Sequence, residues 1–284
     1  MDLTTIFQAL TDGATGLTPN LRLSQHWQIA FAEWKRQQGG PRVWKAPDIL
    51  PLNAWCQRLW ERASLEHALP LLLTDAQETL LWTRIIDEST TQQPLLNPNA
   101  TAQAVQQAWR LIQQWQLPWE SNEFAQTPDQ EWLQTWAREF CERCLALNVI
   151  ESARMVPTCL KTLQRAPTDR IILLNFTETT PQHQTLWRFI EASGGCIEHF
   201  QKESQQADCD SYAFPDQEAE YAAMVDWACR QRAAGAKRIA CVIPDLQEQN
   251  RNCDDCFKRR FRINIRLIFR SGIHSPVIRS FKRL

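Results

Sequence analysis

Apolar residues in this chain follow two spacings, which together predict an α/β fold. Residues 171–174 form a short apolar run that is followed by polar turn residues, which is typical of a strand buried on both faces of a parallel sheet. Thr179 or Thr180 can cap a helix that starts with Pro181, and its inward stripe would be Leu186, Phe189 and Ile190. This strand, turn and helix form half of a βαβ unit, whose ligands generally bind beyond the carboxyl ends of the strands.

Similar strand and helix signals occur toward both ends of the sequence. The amino-terminal signals predict helices at residues 2–11 and 21–38, the second capped by Asn20, a strand at 14–19, an extended piece at 47–51, and a helix that carries Trp55, Leu59 and Trp60. The later signals predict strands at 194–200, 211–215 and 237–244, with a helix at 216–232. The sheet is therefore expected to combine strands from both ends of the chain.

The intervening residues have helical periodicity and no strand pattern. They predict four helices at residues 74–88, 100–116, 129–147 and 156–164, separated by prolines, with tryptophans on the apolar faces (Trp82, Trp109, Trp115, Trp132 and Trp136). The expected domains are an α/β domain from residues 1–64 and 167–250, a helical insertion at 65–166, and a tail at 251–284.

Composition points to a globular protein of the cytoplasm with no membrane span. The apolar fraction is 44% and the charged fraction 22%, no apolar run approaches about 18 residues, and the first residues lack the basic segment of a secretory signal. Ten irregularly spaced cysteines suit a reducing compartment. The net charge of −1 conceals a basic tail, because residues 251–284 contain ten Lys and Arg but two acidic residues.

The motifs that would support catalysis are missing or incomplete, so no catalytic residue and no cofactor are predicted. There is no Gly-x-x-x-x-Gly-Lys-Ser/Thr loop, and the strand at residues 171–174 ends in Asn175 where an NTPase would need an acidic residue for Mg²⁺. Glu33 with Lys35, and Pro244 with Asp245, match the two halves of a nuclease signature, but in the wrong order on separate elements. The five histidines have no ligand spacing.

Two Cys-x-x-Cys pairs raise the possibility of a zinc or iron–sulfur site. Cys141 with Cys144, and Cys253 with Cys256, would provide four thiolates. The first pair lies within a predicted helix and is far from the second, which favours free cysteines over a metal site. No metal ligand is therefore assigned.

Basic and aromatic residues alternate on the two amino-terminal helices. The basic residues are Arg22, His26, Lys35, Arg36, Arg58 and Arg62, and the aromatic residues among them are Trp27, Trp34, Trp55 and Trp60. Such a mixture can follow single-stranded DNA by phosphate contacts and base stacking. The same spacing also suits amphipathic helices with Trp inward and Arg outward, and both interpretations stay open.

Four segments in this order resemble a bacterial family of probable DNA repair proteins, which are AddB-like and more distantly related to UvrD/RecB-type helicases. They are residues 17–23 (LTPNLRL), 47–60 (PDILPLNAWCQRLW), 174–181 (LNFTETTP), and 214–220 (FPDQEAE) with 239–245 (IACVIPD). The resemblance implies a RecA-like (P-loop NTPase-type) parallel sheet without a functional P-loop and with a large all-helical insertion. It also implies contacts to single-stranded DNA, carried here by Thr18, Asn20, Arg22, Trp55, Arg58 and Arg62.

This resemblance implies a noncatalytic fragment of a DNA repair helicase–nuclease that guides or clamps single-stranded DNA, beside a helicase–nuclease partner subunit. The family's PD-(D/E)XK nuclease domain is expected downstream of residue 284, so the chain resembles a truncated member. The tail at residues 251–284 departs from the family pattern, which suggests a shifted reading frame. The alternative function is a protein–protein interaction scaffold that uses the Trp-rich helical insertion without nucleic acid.

Overall fold

The chain folds as an α/β protein with a parallel sheet. The structure is a computed structural model that describes residues 2–39, 43–89, 97–163, 170–201, 209–236 and 239–243. The chain divides into two units, Met1–Lys202 and Glu203–Leu284. The first unit contains α1 (Leu3–Thr11), β1 (Thr15–Thr18), α2 (Leu21–Gln37), β2 (Ile49–Pro51), α3 (Leu52–Glu66), β3 (Leu71–Leu72), α4 (Asp75–Ser89), α5 (Pro98–Trp115), α6 (Pro128–Ala146), β4 (Val149–Ile150), α7 (Ser152–Thr162), β5 (Arg170–Leu174), α8 (Pro181–Ala192) and β6 (Cys196–Phe200). The second contains α9 (Gln217–Ala233).

Four parallel strands form the main sheet in the order β2-β1-β5-β6. Leu17 of β1 lies opposite Leu50 of β2 on one side and opposite Leu173 of β5 on the other. The predicted strands at residues 14–19, 47–51, 171–174 and 194–200 are therefore confirmed. Strands from distant parts of the sequence are direct neighbours, as expected.

Helices cover both faces of the main sheet, and β5 contributes to the core on each face. Ile171 and Leu173 pack in the core that contains α3, α7 and α8, whereas Ile172 and Leu174 pack in the core that contains α1 and α2. Successive side chains of a strand point to opposite faces, so a strand between two helical layers needs apolar residues at every position. This requirement explains the unbroken apolar run at residues 171–174.

The predicted helix starts in the α/β part are confirmed at the level of individual hydrogen bonds. The Asn20 side chain accepts a hydrogen bond from the backbone N–H of Leu23 at 3.0 Å, and the Thr180 hydroxyl accepts one from that of His183 at 3.3 Å. Pro181 occupies the first turn of α8, where its missing N–H has no intrahelical partner to lose.

The predicted helices at residues 74–88, 100–116, 129–147 and 156–164 correspond to α4, α5, α6 and α7. The core shared by α4, α5 and α6 is aromatic: Trp82 stacks on Phe140 with ring centroids 3.9 Å apart, and Trp109 meets the Trp82 ring edge-on at 6.1 Å. Trp82 and Trp109 are fully buried. These aromatic contacts hold the helices together independently of the main sheet.

The expectation that residues 65–166 contain no strand is wrong. Leu71 and Leu72 of β3 pair in parallel with Val149 and Ile150 of β4. Two residues per strand are too few to produce a periodic pattern, so this pairing leaves no signal in the sequence. The insertion is therefore mainly helical with one short strand pair at its base.

α7 starts earlier than predicted and contains a proline in its interior. It begins at Ser152, so Pro157 lies inside the helix. Pro157 has no N–H to donate to the carbonyl of Ala153, which would be its partner in a regular helix. The Gln182 side chain of α8 instead donates a hydrogen bond from Nε2 to that carbonyl at 2.8 Å. Both residues are buried, so an α8 side chain replaces a missing bond of α7.

In the second unit the predicted helix is confirmed, but the two predicted strands are not formed. Residues 211–215 and 239–243 are described and lie outside any strand. Cys241 and Ile243 pack against α9 whereas Val242 is 79% exposed, so residues 239–243 make alternating contacts and are not buried as predicted. A strand also needs a neighbouring strand, and the described part of the second unit contains none.

The tail at residues 251–284 lies outside the described residues. The predicted domain boundaries at residues 64, 166 and 250 stay predictions. In the described part of the chain, no helix combines the length and apolarity that crossing a membrane requires.

Candidate functional site

A pocket of about 520 Å³ opens at the edge of the main sheet where its strands begin. The α1–β1 turn, the residue before β2, one side of α3 and the first residue of β5 surround it. Its lining is Ala9, Asp12, Gly13, Ala14, Thr15, Asp48, Trp55, Arg58, Leu59, Arg62 and Arg170. This cavity is called the amino-edge pocket below.

Arg58 and Asp48 form a fixed pair in the amino-edge pocket. Arg58 Nη1 lies 2.8 Å from Asp48 Oδ2 and Arg58 Nη2 lies 3.0 Å from Asp48 Oδ1, which is the two-pronged geometry that suits a guanidinium and a carboxylate. Thr15 Oγ1 donates a hydrogen bond to Asp48 Oδ2 at 2.9 Å. The hydrogen bonds with Asp48 raise the pKa of Arg58. Asp48 therefore neutralises Arg58 and holds it in place.

The other two arginines of the pocket retain more hydrogen-bonding capacity. Arg170 Nε donates to Glu198 Oε1 at 2.6 Å across the β5–β6 pair, and this bond raises the pKa of Arg170. Its two terminal nitrogens make no further hydrogen bond to the described residues. Arg62 follows Arg58 by one helical turn on α3, is exposed, and has no ion-pair partner within the described part of the chain. Arg62 and Arg170 can therefore donate to an incoming anion.

The opposite wall of the amino-edge pocket is acidic. Asp12 follows α1, and its Oδ1 accepts a hydrogen bond from Gln8 Nε2 at 3.0 Å. Its Oδ2 accepts none from the described residues. Gly13, with a φ of 105°, turns the chain from α1 into β1, a backbone conformation that glycine adopts without strain. The turn thus presents a carboxylate toward a cavity whose α3 side carries two arginines.

The predicted DNA-binding residues fall into two groups at opposite edges of the sheet. Trp55, Arg58 and Arg62 line the amino-edge pocket, whereas Thr18, Asn20 and Arg22 lie where β1 ends and α2 begins. Since β1 runs from Thr15 to Thr18, the two groups are separated by the length of that strand, roughly 10 Å. The six residues therefore do not form one contact surface.

Several of these residues have structural partners. Thr18 is fully buried, and its hydroxyl donates to the Asn20 carbonyl at 2.9 Å. The Asn20 side chain caps α2, and Arg22 is exposed. The Trp55 ring is 1% exposed within the core of the sheet, so it offers no face to a base.

Trp27, the second stacking candidate, is 4% exposed, and its Nε1 donates to Asn175 Oδ1 at 3.1 Å. On α2 and α3 these tryptophans point inward while Arg22, Arg58 and Arg62 remain exposed. This is the arrangement expected if α2 and α3 are amphipathic helices with Trp inward and Arg outward.

Asn175, at the end of β5, has a local role. Its φ of 59° lies in the left-handed region, which Asn tolerates better than most residues. Its backbone N–H donates to the Phe200 carbonyl at 2.8 Å, and its side chain accepts from Trp27. Asn175 thus ties β5 to β6 and α2.

In the first Cys-x-x-Cys pair, on α6, Cys144 is buried and Cys141 is partly buried. Burial raises the pKa of Cys141 to about 11 and that of Cys144 to about 12, which disfavours the thiolates that a metal needs. Within the described ranges no three His, Cys, Asp or Glu side chains are grouped as metal ligands. Cys253 and Cys256 lie outside the described residues.

Two of the five tryptophans predicted on the apolar faces of the helical insertion are not buried. Trp82, Trp109 and Trp136 are buried, whereas Trp115 is 47% and Trp132 is 45% exposed. Burial of all five rings would have counted against the scaffold alternative, and it is not observed.

Sequence reasoning missed Asp12, Thr15, Asp48 and Arg170 as members of a site. A signal was available, because each residue begins a strand of the parallel sheet or comes shortly before one. The starts of neighbouring parallel strands meet at one edge, so polar residues at those positions are brought together.

Comparison with known proteins assigns no family. No protein-family model matches the chain, and no curated protein is significantly similar to it. What the chain does must therefore be inferred from its own residues.

Proposed function

We propose that this chain binds single-stranded DNA without catalysing a reaction on it. The observation that carries the proposal is the convergence of Arg58, Arg62 and Arg170 in the amino-edge pocket. Arginine presents several donors in a planar fork that matches the oxygens of a phosphate. Arg58 is positioned by Asp48, while Arg62 and Arg170 supply free donors.

The proposed contact differs from the one expected from the sequence, because it uses phosphates without aromatic stacking. The buried rings of Trp55 and Trp27 leave the exposed guanidinium groups as the binding elements. Phosphate contacts carry no sequence information by themselves and depend strongly on salt. Arg22, at the opposite edge of the sheet, would be a separate contact for a longer strand.

The resemblance to AddB-like proteins supports single-stranded DNA as the polyanion. In this proposal the chain guides or clamps a strand for a nuclease domain, beside a helicase–nuclease partner subunit. The proposed fold is RecA-like, which the adjacent parallel strands β1 and β5 support. Residues 239–243 count against it, because the resemblance expects a strand there.

A fluorescence anisotropy titration of a labelled single-stranded oligonucleotide at two salt concentrations tests the proposal. The change is Arg62→Gln in the full chain, matched by Arg138→Gln, an exposed arginine of α6. Loss of one phosphate contact should weaken binding several-fold at low salt and reduce the slope of log K against log salt by about 0.7.

The basic tail contributes equally to the DNA affinity of both variants, so the difference between their affinities reports the contribution of the amino-edge pocket. Identical affinities and salt slopes for the two variants would remove the support for this site. Absence of binding at low salt would refute the function itself.

The scaffold alternative keeps one observation in its favour. Leu111, Trp115 and Leu117 are between 38% and 47% exposed at the end of α5. If this surface binds a protein, Trp115→Ser should abolish association without changing oligonucleotide affinity, as measured by sedimentation velocity and anisotropy in parallel.

A further inference from the structure

We infer that the amino-edge pocket takes one nucleotide and prefers a base with an exocyclic amino group. This inference rests on the proposed binding of single-stranded DNA and adds a base preference to it. The observation behind it is the opposite charge of the two pocket walls, with Asp12 on one and Arg62 on the other.

The two walls come from opposite faces of the sheet. α1 packs in the core with Ile172 and Leu174, whereas α3 packs in the core with Ile171 and Leu173. The cavity therefore spans the edge of the sheet, with the start of β1 between its walls. A ligand that reaches both walls needs an anionic group at one end and a hydrogen-bond donor at the other.

A nucleotide meets both requirements. Its phosphate can accept hydrogen bonds from Arg62 and Arg170, and an exocyclic amino group can donate to Asp12 Oδ2, which accepts no hydrogen bond from the described residues. Aspartate is a natural acceptor for the N4 amino group of cytosine. Thymine has no amino group, and its one ring donor, N3–H, lies between two carbonyl oxygens that the carboxylate would repel.

Asp48, the other acidic residue of the lining, is not available for this role. Its two carboxylate oxygens are engaged by Arg58, and Thr15 also donates to one of them. Asp12 also interacts electrostatically with Arg170, but its Oδ2 accepts no hydrogen bond from the described residues, so this oxygen remains open to a donor on the base. This leaves a single position for base selection.

The size and surface of the pocket suit a single nucleotide. Its volume of about 520 Å³ lies in the range of small-molecule sites. Beside Asp12 the wall is formed by Ala9, Gly13 and Ala14, and a Cβ placed on Gly13 would have no atom within 4 Å. The small residues leave room for a flat base next to the carboxylate.

The test compares two pyrimidine homopolymers of equal length, oligo-dC and oligo-dT, by anisotropy with the full chain. The wild type should bind oligo-dC about tenfold more tightly, the effect of one hydrogen bond to a charged group. Asp12→Ala should abolish this ratio. Asp87→Ala, an exposed aspartate of α4 with the same charge change, should keep it.

Three results would overturn the inference. Equal binding of the two oligonucleotides would leave DNA binding intact but remove the base preference. A preference that persists in Asp12→Ala would place base selection elsewhere. Absence of binding to either oligonucleotide would refute the proposed function and the inference together.

Titration with dCMP and dTMP distinguishes a strand from a free nucleotide as the source of the ligand. Weaker binding of dCMP than of oligo-dC supports a strand in the pocket. Equal binding of dCMP and oligo-dC assigns the same pocket to a free nucleotide. In both cases dCMP should bind more tightly than dTMP, and equal binding of the two mononucleotides by the wild type would contradict the assignment of the amino group to Asp12.

Discussion

The hydrogen bond from Gln182 to Ala153 should be energetically coupled to the proline in α7. Gln182→Met keeps the length of the side chain but removes the donor, which leaves the buried Ala153 carbonyl without a partner. An unsatisfied buried acceptor costs about 1–3 kcal/mol. In Pro157→Ala, residue 157 regains an N–H that can donate to this carbonyl, so the same Gln182→Met change should cost about 1–2 kcal/mol less.

The measurement is a double-mutant cycle from urea unfolding followed by circular dichroism. The control is Gln184→Met, an exposed position on the same helix, which should change stability by less than about 0.5 kcal/mol in either background. Additivity of the Gln182→Met and Pro157→Ala effects within about 0.3 kcal/mol would refute the substitution of one hydrogen bond for the other.

Three further predictions concern buried or exposed groups elsewhere in the chain. Burial raises the pKa of Glu78 above its ordinary value of 4.5, so the folded state holds this proton more tightly than the unfolded state. The free energy of unfolding should then fall as pH rises from about 4.5 through the folded pKa. Glu78→Gln should flatten this dependence of stability on pH, as measured by urea titrations at several pH values. An unchanged dependence would contradict the assignment of the effect to Glu78. Glu151 is fully buried and accepts hydrogen bonds from Trp109 and Arg154, so Glu151→Ala should lower the free energy of unfolding by about 3 kcal/mol. The control Glu139→Ala removes a half-exposed ion pair and should cost less than about 1 kcal/mol. Similar unfolding midpoints for the two variants would argue against a buried network. Burial raises the pKa of Cys56 to about 12, which lowers its thiolate fraction about 1000-fold, so alkylation followed by mass spectrometry should label the exposed Cys196 long before Cys56.

The sequence was most informative where a signal is local. Asn20 was predicted as a cap, and Thr180 as one of two candidates with Thr179, because such a side chain satisfies a backbone N–H three residues away and requires no knowledge of the rest of the fold. The four consecutive apolar residues at 171–174 predicted a strand that is buried on both faces of the sheet, because their composition alone carries that signal. Helix periodicity likewise placed Arg58 and Arg62 on the exposed side of α3.

Features that depend on which elements become neighbours were missed. Residues 239–243 have the composition of a strand, yet a strand exists only where another backbone supplies hydrogen bonds. Arg170 opens a predicted strand, but its approach to Arg58 and Arg62 follows from the order of strands in the sheet. The gathering of polar residues into the amino-edge pocket could be predicted only after that order was known.

The short pairing of β3 with β4 has a consequence for how the chain reaches its native state. β1 and β5 must meet although Thr15 and Ile171 are far apart in sequence, and the entropy lost in closing such a loop slows the search. Pairing of Leu71 with Val149 brings the two ends of the helical insertion together and shortens the remaining loop. A small ladder that adds little to equilibrium stability can therefore accelerate assembly of the main sheet, provided that the insertion folds first.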